Sequence, residues 1–176
     1  MAYITLDETL PGMRSLLAYR PALAPSLTGL MQVMMRSDQG LKKGERELIA
    51  SFVSGLNHCT ICENIHSVVA CNLLDLKVSE LDHIKQYFYD SKSDRLKALL
   101  TIAEKIQQSG QQVISKQIEL AKNIGCTDQE IHDTVLIAAL FCMFNRYIDG
   151  LGIQTSDTPE TLSERGHHIA LNGYTD

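Results

Sequence analysis

Three residues that could carry redox or metal chemistry lie within eight positions of one another in the stretch NHCTICENIH, residues 57–66. They are Cys59, Cys62 and His66, and on a helix with 100° between successive residues their side chains share one face. Cys62 and His66 are one turn apart, so the imidazole could take the thiol proton directly or through one water. Cys59 and Cys62 have a spacing that a disulfide accepts. The pattern indicates a redox site, a zinc site or a coincidence on one helix face.

The place of the cysteines within their helix favours a reactive thiol. Gly55 is expected to end the preceding helix, and Asn57 or His58 to open the next, so both cysteines fall in its first turns. Unpaired amides and the positive end of the helix dipole stabilise a thiolate there and lower the pKa of the thiol. We therefore expect Cys62 to be nucleophilic near neutral pH.

A carboxyl group joins the candidate site if the two helices form a tight hairpin. With the centre of the turn between residues 56 and 57, Glu47 comes opposite His66, because the two positions are equally far from it. A carboxylate there would orient the imidazole and hold its proton, as the third member of a catalytic triad does. The predicted catalytic residues are therefore Cys62, Cys59, His66 and Glu47.

The same four side chains could in principle bind zinc. Structural zinc sites usually take their ligands from two separated knuckles and rarely along one helix, so the redox interpretation is favoured and neither a metal nor a cofactor is expected. Arg146 and Asp149 are three apart near a helix end, where they could pair or line a pocket. We expect inert, buried thiols at Cys71, Cys126 and Cys142. We expect solvated or cap-related side chains at His132 and Asp133, and surface or interface positions for His167 and His168.

The elements that must position these residues are all helical. Apolar residues recur at helical spacing throughout, whereas alternating strand patterns are nearly absent. Ser93 and Thr127 are predicted N-caps, the latter with Glu130 in a capping box. The apolar run VLIAALFCMF predicts a helix buried in the core or between subunits. The predicted helices are at about 11–20, 24–37, 44–57, 59–73, 79–88, 93–109, 115–123, 127–148 and 161–171.

Size and composition narrow the function classes. A chain of 176 residues predicts one domain over residues 1–176, with a hairpin at about 44–73 as its core and a C-terminal extension at about 153–176. A net charge of −5 without a basic cluster argues against nucleic acid and anionic membranes as partners. The longest apolar stretch is short for a membrane span, no signal peptide is evident, and five cysteines do not suggest a secreted disulfide framework, so a cytoplasmic protein is expected.

The stretch ERELIASFVSGLNHCTICENIH resembles the core of the alkylhydroperoxidase D (AhpD)-like proteins, within the carboxymuconolactone decarboxylase superfamily. The resemblance rests on Glu47, Cys59, Cys62 and His66 in the order E-x(11)-C-x-x-C-x(3)-H and covers about thirty residues. More weakly, LLAYRPALAPSLTGLMQVMMRS and FNRYIDGLGI resemble the flanks of a peroxidase-related branch. The resemblance implies an all-α, AhpD-like bundle of antiparallel helix hairpins that assembles as a homo-oligomer, a trimer or hexamer.

The resemblance also implies a peroxidase cycle. Cys62 would match the peroxidatic cysteine that attacks a small organic hydroperoxide or hydrogen peroxide, and Cys59 the resolving cysteine. His66 and Glu47 would match the proton relay, and an external dithiol protein of lipoyl, thioredoxin or glutaredoxin type would reduce the Cys59–Cys62 disulfide. The best-known members carry a further histidine where this chain has Ile61, so part of their relay is missing.

Two other activities are compatible with the same residues. One is a general thiol-disulfide oxidoreductase on the same scaffold, without special affinity for peroxide. The other is a lyase or isomerase of the lactone decarboxylase type, which would use His66 or Glu47 without thiol chemistry. A non-catalytic scaffold or zinc-stabilised interaction module is a third interpretation of the sequence.

Overall fold

The computed structural model describes residues 2–7, 9–90, 93–155 and 157–174. Within these ranges the chain forms nine α-helices, two short 3-10 turns and no β-strand, so the all-α prediction is confirmed. Every predicted helix is found, with both ends within two residues of the expected ones. The helices are α1 Met13–Tyr19, α2 Ala24–Arg36, α3 Lys43–Leu56, α4 Thr60–Leu74, α5 Val78–Gln86, α6 Asp94–Gln108, α7 Ser115–Asn123, α8 Asp128–Gly150 and α9 Pro159–Asn172.

Helix α8 lies at the centre of the molecule, where α3 and α6 pack against it. Its apolar sequence on all sides is explained by this position, since Ile137 and Phe141 are almost completely buried. By length and composition alone α8 could cross a membrane, but 56% of its most apolar window is buried inside the molecule, as in a core helix. Leu136 and Met143, at 37% and 45% exposure, lie on its outer side.

Helices α3 and α4 form the tight antiparallel hairpin that the sequence predicts. The turn holds His58 in the left-handed region at φ 60°, and Cys59 donates its backbone N–H to the Ser54 carbonyl at 2.9 Å. Two expectations need correction. Cys59 precedes α4 as its N-cap instead of lying inside it, and Gly55 lies within α3, where its missing side chain makes room for the Glu63 carboxylate.

The chain between α2 and α3 is fixed by a buried arginine. The Arg46 guanidinium donates to the Leu41, Met34 and Gln39 carbonyls and to Asp133 Oδ2, the last at 2.7 Å. The expectation that Asp133 is solvated or cap-related is therefore wrong, because its carboxylate is needed to neutralise a charge that is completely buried.

Two predicted helix starts are confirmed. The Ser93 hydroxyl accepts the Leu96 N–H at 3.3 Å, and the Thr127 hydroxyl accepts the Glu130 N–H at 3.2 Å. Glu130 returns the bond by accepting the Thr127 N–H at 2.8 Å. These caps fix where α6 and α8 begin.

Helix α9 packs along α4 of its own chain. Gly166 lies at the crossing, where any side chain would clash with Val68. After α9, Gly173 adopts φ 88° and turns the chain back, so that the Tyr174 N–H donates to Gln32 Oε1 at 2.7 Å. The C-terminal segment thereby reaches the site between α2, α3 and α4.

Candidate active site

The two cysteines of the motif form a reduced, buried pair. Cys59 is completely buried and Cys62 is 4% exposed, and both thiols are free. The Cys59 thiol donates a hydrogen bond to the Cys62 sulfur; this bond and burial raise the pKa of Cys59 far above its ordinary range. The same bond lowers the pKa of Cys62, and burial opposes it. The pair is therefore polarised, with Cys62 the sulfur that ionises first.

A side chain of α8 supports the thiolate of Cys62. Asn145 hydrogen-bonds to Cys62 and lowers the pKa of this thiol, whereas the charge of Asp149 acts against it. The Asn145 amide is held in place from both ends, because it accepts from Asn57 Nδ2 at 2.8 Å and donates to Ser54 Oγ at 3.1 Å. Asn145 was not predicted from the sequence, although it lies within the FNRYIDGLGI resemblance and on the inner face of α8.

The expected ion pair between Arg146 and Asp149 is not found in the described ranges. Arg146 donates to the Cys142 carbonyl at 2.9 Å on the surface. Asp149 is exposed and is not among the residues that line the cavity, although its carboxyl contributes to the raised pKa of Cys59.

The hairpin brings Glu47 and His66 together as its symmetry predicts. Glu47 is completely buried, and its Oε2 accepts a hydrogen bond from His66 Nδ1 at 2.7 Å. Burial raises the pKa of Glu47, but the His66 hydrogen bond and charge, the Arg36 charge and the Tyr174 hydroxyl outweigh it and lower this pKa below its usual value. A carboxylate that accepts from Nδ1 leaves His66 Nε2 as the nitrogen that can accept or deliver a proton.

Cys62 and His66 do not hydrogen-bond to each other in the described part of the chain. Both line one cavity, so a proton passes between them through a substrate or a water molecule in that cavity. Cys59 and Asn145 lower the pKa of Cys62; neither the imidazole, which the sequence suggested as the acceptor of the thiol proton, nor the start of the helix is among these causes. His66 is thus placed to exchange a proton with a molecule in the cavity.

Two further residues, which the sequence did not point to, complete the environment of Glu47. Arg36 Nη1 and the Tyr174 hydroxyl both donate to Glu47 Oε1, at 2.6 and 2.7 Å. The Arg36 guanidinium also lies 4.8 Å from the centre of the Tyr174 ring. Neither residue belongs to a local motif with the cysteines, and only the packing of α2 and of the C-terminal segment onto α3 brings them here.

The cavity beside Cys62 and His66 measures about 710 Å³, within the range of pockets for small molecules. Its inner wall is apolar and its rim carries charged side chains. Ile61, which stands where better-known AhpD-like proteins have a histidine, forms part of the wall. Apolar lining residues include Leu17, Leu27, Met31, Ile65, Phe141, Phe144 and Ile148, and the polar ones at the rim include Arg14, Glu164, Arg165 and His168.

The remaining candidates lie apart from this site. Burial raises the pKa of Cys71 and of Cys126, as expected for inert thiols. His167 hydrogen-bonds to Asn72 on the surface. In the ranges that the structure covers, no three histidine, cysteine, aspartate or glutamate side chains are grouped as metal ligands.

The helix arrangement and the placement of the CxxC hairpin define an AhpD-like, peroxidase-related fold. The chain is similar to the alkylhydroperoxidase AhpD core of an uncharacterized peroxidase-related protein from Ralstonia eutropha JMP134. The TM-score is 0.77 with 26% sequence identity, over 90% of this chain and 82% of that one. A peroxidase-related protein from Silicibacter sp. TM1040 shares the fold with a TM-score of 0.73 and 22% identity, over 84% and 76% of the two chains. No protein-family model and no curated protein matches the chain.

Proposed function

We propose that this protein is a thiol-dependent hydroperoxide reductase whose working residues are Cys62, Cys59, His66 and Glu47. The observation that carries the proposal is the polarised thiol pair at the wall of the cavity. Cys62 lines the cavity and has a lowered pKa, whereas the raised pKa of Cys59 keeps the Cys59 thiol protonated. A nucleophilic thiolate next to a second thiol is the arrangement that a two-electron peroxide reduction needs.

In the first half of the proposed cycle, the Cys62 thiolate attacks the terminal oxygen of ROOH. The S–O bond forms as the O–O bond breaks, and Cys62 becomes a sulfenic acid. When the Cys62 thiol ionises, its proton passes through the cavity to His66 Nε2, and the leaving alkoxide takes this proton and departs as ROH. Glu47 holds the other side of the imidazole through the 2.7 Å hydrogen bond, so that Nε2 carries out the transfer.

In the second half, the Cys59 sulfur attacks the sulfenic acid. The S–S bond forms, and hydroxide leaves and is protonated to water by the proton that Cys59 gives up. The sum is two thiols and one hydroperoxide converted to one disulfide, one alcohol and one water. The short path between the two sulfurs favours this step over further oxidation of Cys62, because the resolving thiol is already hydrogen-bonded to it.

The test is a single-turnover reaction with cumene hydroperoxide. The reduced protein should consume one equivalent, release the alcohol, lose two titratable thiols and yield a Cys59–Cys62 disulfide in peptide mass spectra. Because the cavity wall is apolar, we expect kcat/KM for cumene hydroperoxide to exceed that for hydrogen peroxide by at least about tenfold, since burial of each methylene contributes about 0.8 kcal/mol. Consumption no faster than by a free thiol would refute the proposal.

Burial of the sulfurs also distinguishes this function from general thiol-disulfide exchange. A disulfide on a folded protein would have to bring its sulfur to Cys62, which is only 4% exposed. A small hydroperoxide reaches the same atom through the cavity. Rapid reduction of insulin disulfides by this protein, together with slow peroxide reduction, would favour the exchange activity instead.

Burial of the two sulfurs also limits which reductants can reach the disulfide. A dithiol on a slender arm can enter a cavity of about 710 Å³, whereas a dithiol on the surface of a thioredoxin or glutaredoxin cannot approach the buried disulfide. We therefore expect dihydrolipoamide to reduce the oxidised protein at least about tenfold faster than reduced thioredoxin at equal thiol concentration, a difference of about 1.4 kcal/mol in barrier. Thiol release followed in a stopped-flow instrument measures both rates. Equal or reversed rates would contradict this expectation.

A further inference from the structure

The segment after α9 contributes a polar group to the interior of the site. The Tyr174 hydroxyl lies 2.7 Å from Glu47 Oε1 and 3.3 Å from His66 Nδ1. The Tyr174 and His66 rings lie side by side with an angle of 29° between their planes. A residue that follows the last helix thus touches both members of the Glu47–His66 pair.

The direction of the Tyr174 hydrogen bond is fixed by its surroundings. Burial first, and then the negative charge of Glu47, raise the pKa of Tyr174 well above its ordinary value, so the phenol keeps its proton. Glu47 Oε1 already accepts from Arg36 and can only accept again. Tyr174 is therefore a donor to the carboxylate oxygen that His66 does not use.

Several contacts hold the segment in place, independently of the hydroxyl group. Gly173 adopts a left-handed φ of 88°, and a side chain there would clash with Gln32. Gln32 in turn accepts the Tyr174 N–H at 2.7 Å. Arg36 Nη2 donates to the Ile169 carbonyl at 3.0 Å near the end of α9. These contacts fix the turn after α9 so that the Tyr174 side chain lies in the site.

We propose that Tyr174 is a positioning residue for the reduction of hydroperoxides, acting through Glu47 on His66. Arg36 and Tyr174 hold Glu47 Oε1 from one side, which directs Oε2 at His66 Nδ1. The imidazole then keeps its proton on Nδ1 and presents Nε2 to the cavity. This role rests on the function proposed above, but the state of the His66 ring can be measured without any activity.

Charged and titratable groups surround His66 on several elements. Besides Glu47 on α3, these are Arg36 on α2, Cys62 on α4 and Tyr174 itself, while α8 contributes the apolar ring of Phe141 at 4.5 Å. Other charged or titratable residues that line the same cavity are Arg14, Glu164, Arg165 and His168. Tyr174→Phe changes one hydrogen-bond donor among them and leaves every charge in place.

The kinetic test compares Tyr174→Phe with Tyr89→Phe, because Tyr89 also donates to a carboxylate, Glu104 Oε2 at 2.6 Å, outside the site. We expect kcat for cumene hydroperoxide to fall by about 10- to 100-fold in Tyr174→Phe with little change in KM, as for other supporting partners of catalytic groups. In Tyr89→Phe both constants should stay at the wild-type level. A wild-type kcat in Tyr174→Phe would overturn the proposal.

A double-mutant cycle separates action through Glu47 from a merely structural role. If Tyr174 works through the carboxylate, Tyr174→Phe should cause almost no further loss in a Glu47→Gln background. Independent, multiplying losses would overturn the proposal. Gly173→Ala, which displaces the segment, should give the same result: almost no further loss of activity in the Glu47→Gln background. Its matched control is Gly125→Ala, where φ is 95° but no atom lies near the added methyl group.

The last measurement does not depend on the protein being a peroxidase. Nitrogen-15 NMR of the His66 ring should show a single Nδ1–H tautomer in the wild-type protein and a mixture of tautomers in Tyr174→Phe. If the wild type reduces no hydroperoxide but the ring responds in this way, the proposed function fails and the positioning role stands. An unchanged ring spectrum in Tyr174→Phe overturns the positioning role whatever the activity.

Discussion

Replacement of Cys62 by serine is expected to lower the rate of hydroperoxide reduction by at least roughly a thousandfold, as loss of the nucleophile does in other covalent mechanisms. The Cys62 thiol has a lowered pKa because Cys59 and Asn145 hydrogen-bond to it, against the effects of burial and Asp149. A serine hydroxyl at this position stays protonated at neutral pH and is a poor nucleophile towards peroxide oxygen. Stopped-flow consumption of cumene hydroperoxide measures the loss.

The other cysteines provide the controls for this prediction. Cys71→Ser, on the same helix but away from the cavity, should retain wild-type activity. Cys59→Ser should complete one turnover and leave a sulfenic acid on Cys62 that dimedone traps. If dimedone labels Cys59 in the reciprocal Cys62→Ser protein while peroxide is still consumed, the two roles must be exchanged.

A matched pair of substitutions at Cys59 also tests the cause of the lowered pKa. The hydroxyl of Cys59→Ser can still donate to the Cys62 sulfur, whereas Cys59→Ala removes the donor. The pH dependence of Cys62 alkylation should therefore move to higher pH in Cys59→Ala and move less in Cys59→Ser. Coincident profiles for the two variants would show that the neighbouring donor does not set the ionisation of Cys62.

Glu47→Gln is the second substitution with a large expected effect. It should lower kcat/KM for hydroperoxide reduction by roughly a hundredfold or more, because the imidazole loses the carboxylate that holds it through Nδ1. It should also lower the free energy of unfolding by about 3–5 kcal/mol, since the buried Arg36 guanidinium loses its counter-charge. Steady-state kinetics and urea denaturation measure the two effects.

Two further variants separate the effects of Glu47→Gln on stability and on activity. Glu45→Gln, on the same helix, weakens the pair that Glu45 forms with the partly exposed Arg95 and should cost about 1 kcal/mol or less. In Arg36→Met/Glu47→Gln the unpaired charge is gone, so stability should recover while activity stays low. Recovery of activity together with stability would show that Glu47 only holds the fold.

The pH dependence of stability follows from the direction of the Glu47 shift. Its pKa is lower in the folded protein than its ordinary value of 4.5, although burial alone would raise it. The carboxylate therefore stabilises the folded state fully above the ordinary value, and this contribution is lost as the pH falls from there through the lowered pKa. Glu47→Gln should lose less stability over that acid range than the wild-type protein does.

Neighbouring residues of the chain determine one part of the site, and distant residues determine the rest. The hairpin symmetry predicted the contact of Glu47 with His66 because both flank one short turn, whose geometry is set by neighbouring residues. The Cys59–Cys62 pair was likewise visible in its spacing. The hydrogen bonds from Cys59 and Asn145 that lower the pKa of Cys62 were not predicted, because helix spacing gives only the separation of Cα atoms, not which groups share a hydrogen bond.

The residues that the sequence did not reveal reach the site through packing over long stretches of chain. Asn145 approaches from the C-terminal part of α8, and Arg36 from the end of α2, at positions that helical periodicity marks only as facing inwards. Tyr174 depends on the crossing of α9 over α4 and on the turn at Gly173. No pattern within one helix encodes such contacts, since they depend on how whole helices rotate and cross.

During synthesis, Tyr174 is added to the chain after all the other residues of the site. A ribosome produces the α3–α4 hairpin with both thiols long before it adds Asn145, and Tyr174 comes later still. The two groups that tune Cys62 and His66 are therefore missing while the nascent hairpin is exposed to the translation machinery. The arrangement described for the finished fold cannot exist until synthesis has passed residue 174.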